Sequence, residues 1–234
     1  MTITPEEFSA EIAHHYETVY AVAGDKLDHI SDRTQLETML LALGLAGDIA
    51  GARVLDVGCG RGQLGRTALV FGAKQVVAFD SSKDAIAGLE RLGEERLDAR
   101  LGDLNVGEWP LRDDERFDVV FAVESLQYAY SVSGAIRRLW RHVEPGGRMV
   151  GVVCNRENRL VRDYEAQFYC YREAGGITAH GLNVCLRQLH GLTALRFFGV
   201  HFADDQTFSV FDPANREVFD PPAFRLAFAA VKGG

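Results

Sequence analysis

The segment Val54-Leu-Asp-Val-Gly58-Cys-Gly60-Arg-Gly62 holds the residues best suited to chemistry in this chain. Its glycines let a ligand approach the backbone as no residue with a side chain would. The spacing Gly60-x-Gly62-x-x-Gly65 satisfies a dinucleotide fingerprint, and Asp80 stands 20 residues after Gly60, about where a ribose-binding acid is expected. Asp56 points elsewhere. A pyrophosphate site avoids negative charge at the strand end, whereas a cationic ligand is stabilised by it.

With Asp56 through Gly62 read as an acid-x-Gly-x-Gly-x-Gly loop, the sequence resembles the class I S-adenosylmethionine-dependent methyltransferases. Their cofactor carries a sulfonium and an ammonium and no phosphate. The resemblance runs through most of residues 50 to 155. Phe79-Asp80-Ser81-Ser82 is similar to the second motif, whose acid accepts both ribose hydroxyls, and Gly102-Asp103-Leu104 to the third, which meets the adenine. The run from Phe117 to Gln127 resembles the fourth strand and its loop, and Val143-Glu-Pro-Gly-Gly147 the turn into the fifth, where Gly146 and Gly147 are read as structural. The resemblance implies cofactor contacts from Asp56, Gly58, Cys59, Gly60, Gly62, Asp80, Ser81, Asp103, Leu104 and Glu124. It implies in-line methyl transfer, which asks the protein mainly to align the reacting atoms and exclude water.

A hydroxyl acceptor would need a base, and Glu124, Tyr128 and His180 are the candidates, with His201 a further possibility. Several small-molecule O-methyltransferases of the family place a histidine in the loop after the fourth strand, where this chain has Gln127 and Tyr128. The loop also lacks the Asn/Asp-Pro-Pro-aromatic run of amino-methylating DNA enzymes. Tyr16, Tyr20, Tyr128, Tyr164 and Phe168 are the candidate acceptor contacts, and they imply a partly apolar small molecule. Helix packing accounts equally well for the aromatics outside the core motifs. Readings as a nicotinamide-dependent oxidoreductase, a catalytically silent cofactor-binding module, or a methyltransferase acting on RNA or protein remain open.

These residues need a scaffold, and the periodicity supplies one. Thr4, Pro5 and Glu7 form a helix-start signature for residues 4 to 23, and a second helix is expected from about 32 to 43. From Arg53 the pattern becomes strand and helix in alternation. Strands are expected at 53–57, 75–79, 97–101, 118–123 and 149–153, with helices at about 62–71, through Ile86, Leu89 and Leu92, and on Ile136, Leu139, Trp140 and Val143. Apolar strands between amphipathic helices predict an α/β, Rossmann-like, doubly wound and mostly parallel sheet of seven strands, helices on both faces, and an N-terminal helical cover. Further on, helices at 157–172 and about 182–189, strands at 194–202 and 223–231, and a small hairpin over 208–219 are expected. The chain reads as one domain over 1–234: N-terminal helices to 50, a cofactor core over 51–154, then a cap segment and C-terminal strands over 155–234.

The chain has 234 residues, 47% hydrophobic and 25% charged, which is globular and excludes a disordered or fibrous class. A net charge of −8 disfavours nucleic acid as partner. No secretory signal or membrane-length apolar run appears, so a cytoplasmic protein with no membrane partner is expected. The four cysteines and seven histidines fall at no metal spacing, and no metal is expected. The sequence leaves the oligomeric state unspecified.

Overall fold

The computed structural model describes residues 3–23, 33–107, 109–166, 176–202, 208–211 and 222–234. In chain order the elements are α1 (Pro5–Ala23), α2 (Arg33–Ala46), β1 (Arg53–Val57), α3 (Gln63–Val70), β2 (Gln75–Asp80), α4 (Lys83–Glu90), β3 (Leu97–Leu101), β4 (Phe117–Val123), α5 (Val132–Arg141), β5 (Val143–Cys154), α6 (Arg159–Glu165), α7 (Ala179–Arg187), β6 (Leu192–Phe202), β7 (Phe208–Phe211) and β8 (Arg225–Lys232).

One sheet in the order β3-β2-β1-β4-β5-β8-β6-β7 organises them. The first five strands pair in parallel, β8 runs antiparallel between β5 and β6, and β7 pairs antiparallel with β6 at the edge. The expected seven-stranded, mostly parallel sheet is thus present, extended by the four-residue β7. That strand is the first arm of the 208–219 segment, and it pairs back on β6; its second arm lies outside the described residues.

Strand alternation explains how both faces become buried. Leu55, Val57, Val77, Phe79, Val120 and Ala122 join one core with α5 and α7, while Val54, Val76, Ala78, Val119 and Phe121 join the other with α2, α3 and α4. Most element boundaries fall within three residues of expectation. One exception is β5, which begins at Val143 instead of 149 because Val143 already pairs with Phe117; a register shift follows before Val119 pairs Arg148. Gly147 lies in this stretch, and a Cβ there would meet the Asp118 carbonyl oxygen at 2.7 Å, so the glycine serves a close backbone approach.

The two N-terminal helices part company. The expected capping box opens α1, with Thr4 N–H donating to Glu7 Oε2 (2.8 Å) and Glu7 N–H to Thr4 Oγ1 (3.2 Å). This helix uses Phe8 and Ile12 to pack against Tyr128 and Tyr130 beyond β4, and so spans the carboxyl edge of the sheet. Helix α2, by contrast, buries Met39, Ala42, Leu43 and Ala46 on a sheet face as an ordinary layer helix. The 157–172 segment is helical over Arg159–Glu165, and residues 167–172 lie outside the described residues.

Candidate active site

The carboxyl ends of β1, β2 and β4 open into a cavity of about 280 Å³ at the point where the strand order reverses, between β1 and β4. Open α/β sheets bind ligands at such a switch point. Its floor is the β1–α3 loop. Gly58 and Gly60 line it, both at positive φ (66° and 52°), and Gly58 also lies so close to Ser125 that a Cβ would meet the serine Cβ at 2.5 Å. Gly62, an expected cofactor contact, is not among the lining residues. It is the left-handed N-cap of α3, and a Cβ there would strike Leu89 at 2.4 Å, so its role is packing of helix on helix.

Because Gly62 has no side chain to cap α3, a first-turn N–H must find another acceptor, and Asp56 provides it: Gly65 N–H donates to Asp56 Oδ2 at 3.0 Å. Asp56 is only 3% exposed. Burial pushes its carboxyl up to about 7, against the opposing pull of the Gly65 hydrogen bond and with a further push from Asp80. The site therefore holds a buried acid whose charge is incompletely compensated.

Asp80 ends β2 and organises two loops. Its Oδ2 accepts from Gly60 N–H (2.9 Å) and its Oδ1 from Ser82 N–H (2.8 Å), while Ser82 Oγ caps α4 through Ala85 N–H. Burial raises its pKa, partly offset by these backbone donors. A carboxylate has about four lone-pair sites, so Asp80 retains acceptor capacity for a ligand hydroxyl beside these donors. Asp103 lies across the cavity, where its Oδ1 accepts from Asn105 N–H (2.6 Å) and from Ser9 Oγ of α1 (3.1 Å). Cys59, Ser81 and Leu104 line the same cavity. Burial, and then Asp56, hold the Cys59 thiol well above its ordinary pKa.

Glu124 follows β4 and is the non-glycine residue at positive φ (52°) among the described residues, a conformation that tends to be stored at functional sites. Glu124 lines the cavity, and its carboxylate forms an ion pair with Arg225 of β8. Tyr128 and Tyr16 also line it and their hydroxyls bond to each other, the rings meeting edge to face at 5.2 Å. Burial raises the Tyr128 hydroxyl well above the ordinary tyrosine value.

The remaining candidates lie elsewhere. His180 is exposed on the first turn of α7 and does not line the cavity. Tyr164 is 45% exposed, outside the lining, and bonds His15 Nε2 at 3.2 Å. The side chains of Tyr20 and His201, and Phe168 altogether, lie outside the described residues. Sequence reasoning missed Ser9, Ser125, Asn105 and Arg225. Asn105 ties three segments together: its Nδ2 donates to Ser9 Oγ (2.9 Å) and to the Tyr128 carbonyl (3.0 Å), and its Oδ1 accepts from Tyr130 N–H (2.6 Å). Its place two residues after Asp103 was the available signal.

Residues 54–147 match the methyltransferase domain family. Over this segment the chain resembles a class I S-adenosylmethionine-dependent methyltransferase domain. Over 112 residues it is 35% identical to a ubiquinone biosynthesis O-methyltransferase of Alkalilimnicola ehrlichii, covering 47% of this chain and 44% of that one. Over 127 residues it is 35% identical to a ribosomal protein L11 methyltransferase of Marinobacter nauticus, covering 52% and 40%. The chain thus spans less than half the length of these curated relatives. An N-methyltransferase of Bradyrhizobium japonicum, solved with S-adenosylhomocysteine, superposes with a TM-score of 0.61 at 17% identity over 89% of this chain and 91% of that one, a likeness of fold.

The methyltransferase cofactor fits the cavity on its own chemistry. Asp56, Asp80, Asp103 and Glu124 converge on it, a set that suits a ligand bearing positive charge and hydroxyls and disfavours a pyrophosphate.

Proposed function

We propose that this protein transfers the methyl group of S-adenosylmethionine to a small, partly apolar organic acceptor, working in the cytoplasm as one domain over residues 1–234. The observation that carries the reading is the joining of two halves in one cavity. The carboxylates and glycine backbone of the β1, β2 and β3 ends supply one half, and α1 with the loop after β4 supplies the other.

When bound, the cofactor supplies a methyl already activated by its sulfonium. The chain's own residues do the rest. Asp56 would offer negative charge beside the glycine loop, Asp80 would accept from the ribose hydroxyls, and Asp103 with the Leu104 backbone would meet the adenine edge. Ile12 and Tyr16 of α1 exclude water over the acceptor. Glu124 is oriented by Arg225 and takes the proton of a hydroxyl acceptor. Tyr128 keeps its own proton, because its pKa is raised, and acts as a donor that orients the acceptor. His180 has no part in this step. The L11 relative raises a protein acceptor as the alternative, and α1 lying across the cavity speaks against so large a partner.

Incubation with methyl-labelled cofactor and a panel of phenols, alcohols and amines, with a ribosomal-protein arm, tests the reading. Label should pass to a small acceptor with release of S-adenosylhomocysteine. Calorimetry should show S-adenosylhomocysteine binding and no comparable NAD binding. Tighter NAD binding would overturn the cofactor; firm cofactor binding without turnover on any acceptor would leave a silent binding module.

A further inference from the structure

A second cleft, of about 490 Å³, lies at the opposite edge of the sheet, where β4 and β5 begin and β8 ends. Four cations line it from three separate parts of the chain: Arg116 just before β4, Arg138 and Arg141 in the last turn of α5, and Lys232 at the end of β8. Asp113 is the acid in the lining. Among the described residues, none of the four cations has a carboxylate within salt-bridge range. In a chain of net charge −8, such a concentration of unneutralised positive charge calls for a cause.

Local structure accounts for part of it. Arg138 and Arg141 complement the negative end of the α5 dipole. Arg138 also lies over the Trp109 ring at 4.0 Å, and Trp109 stacks on His142. Both reasons reach Lys232, whose Nζ lies 5.7 Å from the Trp140 ring centroid and bonds a carbonyl in the last turn of α5, but neither extends to Arg116. Lys232 Nζ is fixed by the Val143 carbonyl (2.7 Å) and the Trp140 carbonyl (3.2 Å), and Arg116 Nη1 by the Asp113 and Glu115 carbonyls (2.6 and 2.9 Å). Both are thereby held at the cleft by neutral hydrogen-bond partners, with Glu144 offsetting part of the Lys232 charge through space. The crowding has an electrostatic cost: burial lowers the pKa of Arg138 and of Lys232, and Arg141 and Arg116 respectively lower them further, against smaller opposing pulls from Asp113 and Glu144. A bound anion would relieve that cost.

We propose that this cleft binds an oligophosphate group, at a site separate from the cofactor cavity. Arginine forks match phosphate oxygens in pairs, and the ammonium of Lys232 adds a point charge. A carboxylate ligand would neutralise one cation, whereas three linked phosphates in a cleft of this size neutralise several at once. The phosphates could belong to an inorganic chain or to a nucleotide, and the two are distinguished by titration.

The full chain, saturated with S-adenosylhomocysteine, is titrated by calorimetry with sodium tripolyphosphate and, separately, with ATP. Saturable binding of both is expected, weakening as salt rises. Equal affinity assigns recognition to the phosphates alone, and tighter ATP binding adds a nucleoside contact in the same cleft. Arg138→Gln with Arg141→Gln should weaken both ligands at least tenfold, while Arg66→Gln, an exposed arginine on α3, should change neither. Tripolyphosphate should also raise the melting temperature of the wild-type chain and not of the double variant; should that variant fail to fold, Arg116→Gln replaces it with the same expectation. The proposal is overturned if the wild-type chain shows no saturable heat, if the variant binds as well as wild type, or if S-adenosylhomocysteine competes with the phosphates. Tighter, arginine-dependent binding of a single-stranded oligonucleotide would also overturn it, in favour of a nucleic-acid surface.

Discussion

The two halves proposed for the cavity, one for cofactor and one for acceptor, are built by different means. In the cofactor half, Asp56, Gly58, Gly60 and Asp80 come from two adjacent strand-to-helix turns, and their geometry is fixed by backbone bonds such as Gly60 N–H to Asp80 and Gly65 N–H to Asp56. The acceptor half joins residues more than a hundred positions apart: Tyr16 meets Tyr128, and Arg225 meets Glu124. A half held by backbone resists change in any one contact and collapses when the backbone itself is disturbed. A half held by side chains should lose its contacts one at a time.

The sharpest way to break the cofactor half is Gly58→Ala. The position combines φ of 66° with a Cβ that would stand 2.5 Å from Ser125. Left-handed backbone and overpacking together should cost roughly 2 to 5 kcal/mol of stability, read by denaturant unfolding, and should abolish S-adenosylhomocysteine binding by calorimetry. Stability and affinity within error of wild type would mean the loop is not the rigid floor described.

Asp80→Ala should weaken cofactor binding by about 1.5 to 3 kcal/mol, the range for hydrogen bonds to a charged group, with secondary structure retained by circular dichroism. An unchanged dissociation constant would reduce Asp80 to the loop-organising role seen in its bonds to Gly60 and Ser82.

Asp56 gives the cofactor half a pH signature that the acceptor half lacks. Its pKa is raised from 3.8 to about 7, so the folded state retains a proton that the unfolded state gives up. The stability this contributes is complete below about pH 4 and is lost as pH rises through 7. Thermal unfolding should show that decline, and Asp56→Asn, which keeps an acceptor for Gly65 N–H, should flatten it. A sulfonium cofactor favours the charged form, so its affinity should improve over the same interval, more than that of S-adenosylhomocysteine. Equal pH dependence for the two ligands would remove Asp56 from sulfonium recognition.

Tyr16→Phe is the mildest change and sharpens the contrast. It removes one neutral hydrogen bond, worth about 0.5 to 1.5 kcal/mol, from the acceptor half alone. The KM for the acceptor should rise several-fold while S-adenosylhomocysteine affinity stays at the wild-type value. A matching loss in both would show that the halves do not act separately.

The contrast also explains what could be read in advance. Gly62 was expected at the ligand and proves to pack on Leu89, because spacing alone does not tell which loop glycine faces the cavity and which faces the next helix. His180 was a reasonable base by residue type, yet α7 lies on the α5 face of the sheet and leaves it in solvent. The two N-terminal helices looked alike as amphipathic segments, and only their packing partners separate the α1 cover from the α2 layer helix.

The sequence by itself determined the strand and helix alternation, the parallel core, the glycine loop and the acids of its turns. All of these depend on hydrophobic period and on residues close in the chain, where backbone geometry follows from local composition. The tertiary structure decided what closes over that loop, which distant arginine orients Glu124, and how four cations meet at the far edge of the sheet. Those contacts follow from strand order and from the crossing of α1 over the carboxyl edge. No local pattern encodes them, because each joins residues whose distance in sequence bears no relation to their distance in space.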